Sequence, residues 1–105
     1  MQFSTTYELA GEKVEATLGV ARGNVIRARH IGADILAALR NLIGGEVSEY
    51  TKLLAEAREQ AFDRMVQDAR AMGADAVVGV RFTTSMVTQG AAEILAYGTA
   101  VKLKK

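Results

Sequence analysis

Side chains able to do covalent or proton-transfer chemistry are scarce in this sequence. His30 is the single histidine and cysteine is absent, so any Ser-His nucleophile pair would depend on one imidazole and Cys-His pairs cannot form. His30 stands between Arg29 and Ile31, where guanidinium charge disfavours its protonation. An exposed histidine without a catalytic role is the expectation. As a metal ligand it has no companion at short spacing. Only carboxylates such as Glu12, Glu46 or Glu49 could join it, including across copies of the chain. Transition metals prefer imidazole and thiolate donors, so the composition opposes a zinc or soft-metal site within one chain. His30 and Glu49 are the weak candidates that remain.

Other constellations fail on spacing. Gly44-Gly45 lacks the G-x-x-x-x-G-K-[ST] pattern of a phosphate loop and no strand precedes it. A helix start follows, but Glu46 and Glu49 oppose an anion there. Glu59 and Asp63, one helical turn apart, read as a solvated face. No catalytic residue emerges, and the chain is expected not to be an enzyme.

Two charged residues fall where apolar ones would be expected. Asp68 lies near the centre of the apolar stripe of a helix, where an unpaired carboxylate is costly. Arg64, one turn earlier, is placed to pair with it. Arg81 interrupts the apolar strand Val78-Gly79-Val80-Arg81-Phe82. An arginine there needs a carboxylate, a carbonyl cluster or an anionic ligand.

The elements that position these residues follow from periodicity. Phe3 to Tyr7 reads as a short strand. Val14 to Arg29 reads as a second, with Val14, Ala16, Leu18 and Val20 on one face. Gly23-Asn24 suggests a bulge in one long strand in preference to a hairpin. Ile35, Leu36, Leu39, Leu42 and Ile43 recur at three and four, a short amphipathic helix over 31–43. Ser48 is the N-cap expected of a long helix running to Met72, and Gly73 is its stop. Ala76 to Phe82 is nearly unbroken apolar, as in a strand buried on both faces. Thr83 to Gly90 reads as a polar turn, and Ala92 to Lys102 as the last strand. The expected architecture is α+β: an antiparallel β-sheet packed by one long helix plus a short helix, in the order β-β-α-α-β-β, over a single domain spanning 1–105.

In the long helix, Tyr50, Leu54, Ala57, Ala61, Met65 and Met72 form one narrow stripe. Leu53 and Ala69 widen it, and Phe62 and Val66 lie further round. This exceeds what one small sheet needs to cover, and the short helix adds to the surplus. Self-association through Phe62 and Val66 is the expectation.

Composition bounds the partners. A chain of 105 residues with 13 basic and 12 acidic side chains carries a formal charge of +1. Its only basic cluster is the tail Lys102, Lys104 and Lys105, so the footprint of a nucleic-acid binder is missing. No apolar run reaches the ~20 residues that span a bilayer. Without cysteine or a signal-like start, a cytoplasmic location is expected.

Three stretches together resemble a known family. They are Asp34 to Gly45 (DILAALRNLIGG) followed by Tyr50; then Ala57-Arg58-Glu59; then Met72 to Phe82 with the closing Gly98-Thr99-Ala100-Val101. In that order and spacing, over essentially the whole chain, they are similar to the YbjQ-like family, of uncharacterised function. The resemblance implies an α+β subunit that assembles as a homopentamer ring. It also implies metal binding, because the family's domain is named for heavy metals. Family motif positions matched here include Arg40, Gly44, Gly45, Tyr50, Arg58, Gly73, Gly79 and Arg81. Of these, Arg40, Tyr50, Arg58 and Arg81 are the expected ligand or subunit contacts, beside Phe62 and Asp68 from the helix pattern.

The leading expectation is thus a non-enzymatic homo-oligomeric binding or scaffold domain, with its unidentified ligand at subunit boundaries. The alternatives are a metal-ion site of carboxylates and His30 shared between subunits, and an intersubunit enzyme active site.

Overall fold

The computed structural model describes residues 1–27, 48–88 and 91–105. Four strands and one helix follow one another as β1 (Gln2–Phe3), β2 (Val14–Arg27), α1 (Ser48–Ala71), β3 (Ala76–Thr88) and β4 (Ala91–Leu103). The strands form one sheet in the order β1-β3-β4-β2. β4 pairs antiparallel with both β2 and β3, whereas β1 runs parallel to β3. The sheet is therefore mixed, not wholly antiparallel as the sequence pattern suggests. The described order is β-β-α-β-β; the short helix expected over 31–43 lies outside the described residues.

Local chemistry accounts for the main helix. It ends on the Schellman arrangement. Gly73 takes φ +80°, its N–H donates to the Arg70 carbonyl at 2.9 Å, and the Ala74 N–H donates to Ala69 at 3.1 Å. Ala57, Ala61, Met65, Val66 and Ala69 are buried against Ala21 and Val25 of β2, Ile94, Ala96 and Ala100 of β4, and Val77 and Val80 of β3. Val66, expected at a subunit boundary, belongs to this core and is 8% exposed. The helix comes so close to β2 that a Cβ on Gly23 would strike the Met65 nitrogen and the Ala61 carbonyl.

The bulge expected at Gly23-Asn24 is not there. Those residues pair in regular register with Ala96 and Leu95, and the irregularities of β2 fall between Val14 and Ala16 and between Thr17 and Gly19. Thr83 to Thr88, expected as a turn, continues β3, with Thr83 opposite Leu95 and Met86 opposite Ala92. Threonine and valine content favours an extended chain there, and pairing with β4 outweighs the polarity.

β3 is buried on both faces over its first half, as its unbroken apolar run suggests. Val77 and Val80 face α1. Ala76 and Val78 turn to the opposite face with Val101, Leu103 and Leu9. Side chains alternate along a strand, yet Val77 and Val80 share a face. The reason is a bulge: register shifts between Val78, opposite Thr99, and Arg81, opposite Tyr97. Gly79 sits within it at φ +63°, a conformation glycine adopts without steric cost.

Candidate functional site

The bulge decides where Arg81 points. One extra residue in a strand flips every later side chain to the other face. Phe82 accordingly turns toward α1, and its ring lies 6.4 Å from that of Phe62, which meets Phe3 at 5.0 Å. Arg81 turns to the face away from the helix. There its guanidinium is held from two sides. Nη1 donates to the carbonyls of Thr5 and Val80, each at 2.8 Å. Nη2 lies 3.5 Å from the Tyr7 hydroxyl, and the group sits 5.6 Å from the centre of the Tyr7 ring. The Tyr7 ring in turn rests over Gly79, where a Cβ would come within 2.8 Å of it. Carbonyl oxygens and an aromatic ring thus hold the arginine, and no carboxylate among the described residues pairs with its charge.

The same bulge anchors the segment that follows β1. The Gly79 and Val80 amides donate to the carbonyls of Thr6 and Ser4, at 2.8 and 3.0 Å. Thr6 N–H donates to the Ser4 hydroxyl at 3.0 Å.

A second polar cluster lines the outer edge of β2. An open cleft of about 740 Å³ is bordered by Arg22, Asn24, Arg64, Asp68 and Glu93. Asp68 accepts the Arg22 backbone N–H at 3.0 Å, and Arg64 donates to the Asn24 carbonyl at 2.6 Å. Asn24 Nδ2 donates to Glu93 at 2.9 Å. The Arg64–Asp68 ion pair expected from helical spacing does not form; both side chains satisfy backbone groups of β2 instead. Among the described residues the one ion pair is Lys102–Asp75, at 3.7 Å.

The expected site residues are dispersed. Arg40 and His30 lie outside the described residues. Glu49 and Tyr50 fall in the first turn of α1. Arg58 is exposed further along that helix, Phe62 packs between Phe3 and Phe82, and Asp68 stands at the β2 edge. Arg81 alone is joined to a new constellation. Its neighbours Tyr7, Tyr97 and Arg22 escape sequence reading, because no local spacing links them. The β2–β4–β3 register brings Arg22 and Tyr97 into line with Arg81, and the segment after β1 brings Tyr7 to it.

The donor set can be tested against a heavy metal. Soft metals select thiolate and imidazole, and this chain offers no cysteine and one histidine. Among the described residues, no three of His, Cys, Asp and Glu gather as a ligand group. The residues do not fit a soft-metal centre within one chain. No described helix is long and apolar enough to cross a membrane.

Comparison with known proteins places the chain. The YbjQ_1 family model, whose description reads "Putative heavy-metal-binding", matches residues 1–104. A UPF0145 protein of Methanosarcina acetivorans is 61% identical over 103 residues, covering 98% of this chain and 97% of that one. One from Halorubrum lacusprofundi is 56% identical over 104 residues, covering 99% and 100%. One from Psychromonas ingrahamii is 52% identical over 105 residues, covering both chains fully. A crystal structure of a DUF74-family protein of unknown function from Pediococcus pentosaceus superposes with TM-score 0.54 at 16% identity, over 99% of this chain and 98% of that one. That likeness supports the α+β fold. The chain belongs to the YbjQ/UPF0145 family.

Proposed function

We propose that this member of the YbjQ/UPF0145 family is a non-catalytic subunit of a homo-oligomeric binding or scaffold assembly, joined through the outer edge of β3. The observation that carries this reading is the contrast between the two edges of the sheet. On β2 the outward backbone groups at Arg22 and Asn24 are covered by Asp68 and Arg64. On β3 the neighbour β1 pairs only with Ala76 and Val77, and the segment behind it takes Gly79 and Val80. The Val80 amide points to this edge, so strand alternation turns the backbones of Phe82, Thr84 and Met86 the same way. No described residue pairs with them.

An edge that no described residue covers templates a further strand. The side chains beside it agree: Met86 is 79% exposed and Phe82 is 47% exposed, and Arg81 to Thr88 contains no acidic residue, glycine or proline. A second copy offers matching backbone and apolar surface. The stoichiometry expected from the family resemblance is five.

Native mass spectrometry of wild type and Met86→Glu tests this. The wild type is expected as a multimer, and the variant, its circular dichroism unchanged, at lower mass. A monomeric wild type would sink the proposal. Phe62→Glu is a poor substitute, because that ring packs inside the chain.

A further inference from the structure

We infer that the sheet face away from α1 carries a binding site for a phosphorylated small molecule, built from Arg22, Tyr97 and Arg81. Register places the three side by side. Tyr97 of β4 is the partner of Arg22 on β2 and of Arg81 on β3. Ala21, Gly23 and Val25 turn toward the helix, so Arg22 projects from the opposite face, and Arg81 shares that face because of the Gly79 bulge. The two arginines stand two strand spacings apart, about 10 Å between backbones, and flank a phenol that is 37% exposed.

Charge points to the ligand. Neither guanidinium has a carboxylate within ion-pairing distance among the described residues. The acidic groups that border a cleft with Arg22 are already engaged: Asp68 with the Arg22 backbone amide, and Glu93 with Asn24. A planar guanidinium presents a fork of donors that matches phosphoryl oxygens two at a time. Arg81 is also pre-oriented, since Nη1 is fixed on Thr5 and Val80 while Nη2 has only the long Tyr7 contact. A held guanidinium loses little further freedom on binding. Tyr97 adds a hydroxyl and a ring on the strand between the two arginines, so the site suits two phosphoryl groups or one phosphoryl joined to a flat body. The site lies on one chain and does not depend on the proposed assembly.

Isothermal titration with inorganic pyrophosphate at low ionic strength, where exposed charges are least screened, is the test. Wild type is expected to give saturable binding, and Arg22→Gln to weaken it by about tenfold or more, as for loss of a charged hydrogen-bonding group. Arg22 makes no side-chain contact that the fold needs, so this variant keeps the wild-type structure; Arg81→Lys, which retains charge but not the fork, should also bind more weakly. Arg70→Gln, in the last turn of α1 on the opposite side of the sheet, is expected to bind as wild type does. Parallel titration with AMP separates the two sources. Tighter binding of AMP that disappears in Tyr97→Leu assigns a nucleotide-like ligand, and tighter binding of pyrophosphate assigns a free phosphoanion. Absence of saturable binding to both probes, unchanged binding in Arg22→Gln, or equal losses in Arg22→Gln and Arg70→Gln would overturn the assignment.

Discussion

Gly79 shows how much a single position can set. Its φ of +63° lies where a residue with a Cβ is strained, and the space above it is filled by the Tyr7 ring. Gly79→Ala is therefore expected to destabilise the fold by about 1–3 kcal/mol, read by chemical denaturation. The Tyr7 ring resonances should shift with it, because the new methyl group displaces that ring. The alternative response, removal of the bulge, would turn Arg81 toward the helix and Phe82 to the other face. Phe82 would then lose Phe62, so strain is the less costly outcome. The sequence identifies Gly79 and Arg81 as notable and cannot say that one controls the other. That link depends on Tyr97 and Gly98, which are distant in sequence and adjacent only once the strands pair.

Among the elements, β2 depends most on its cover. Edge strands expose a row of unpaired backbone groups, and α1 answers two of them with Arg64 and Asp68. Asp68→Ala removes the acceptor of the Arg22 amide. Native-state hydrogen exchange is expected to speed selectively at Arg22, with a stability loss of about 1 kcal/mol; unchanged protection there would show that the contact is unimportant. Much of this level is legible in advance. The long helix, its stop at Gly73, the single long β2, and the two-sided burial of Ala76 to Val80 all follow from periodicity and glycine placement. The extension of β3 through Thr88 is missed because polar side chains mask an extended backbone whose partner is β4. The parallel pairing of β1 is missed because a two-residue strand carries no pattern. For the candidate site, Arg81 and Asp68 are visible as charges in apolar settings. Arg22 and Tyr97 look unexceptional until register sets them beside Arg81.

At the scale of the molecule, one end of the sheet is closed by a carboxylate. Asp75 accepts the Leu103 amide at 2.9 Å and lies 3.7 Å from Lys102. That backbone donation, with the lysine charges after it, holds its pKa below the ordinary 3.8. A group whose pKa is depressed by folding contributes stability above its ordinary value and loses it as pH falls through the folded value. Wild type should therefore unfold at higher denaturant than Asp75→Asn near neutrality, and the gap should narrow below about pH 4. A gap independent of pH would remove the ionised form of Asp75 from the account. Lys102, part of the basic tail cluster, thus helps close the sheet. The proposed assembly uses the backbone edge of β3 and the proposed phosphoanion site the face away from α1, and Arg81 lies beside both.

The parallel pairing of β1 also has a consequence for synthesis. Gln2 and Phe3 take Ala76 and Val77 as partners, far along the chain. On the ribosome, β1 is made long before β3 and must wait, unpaired, while β2 and α1 emerge. Contacts between such distant residues form late, because closing the intervening loop costs entropy before any pairing offsets it. Thr5 and Tyr7 arrive with the same segment, so Arg81 gains its clamp only at that final step. A nascent chain held short of β3 would carry every residue of its N-terminal segment but not the β3 backbone that pairs with it.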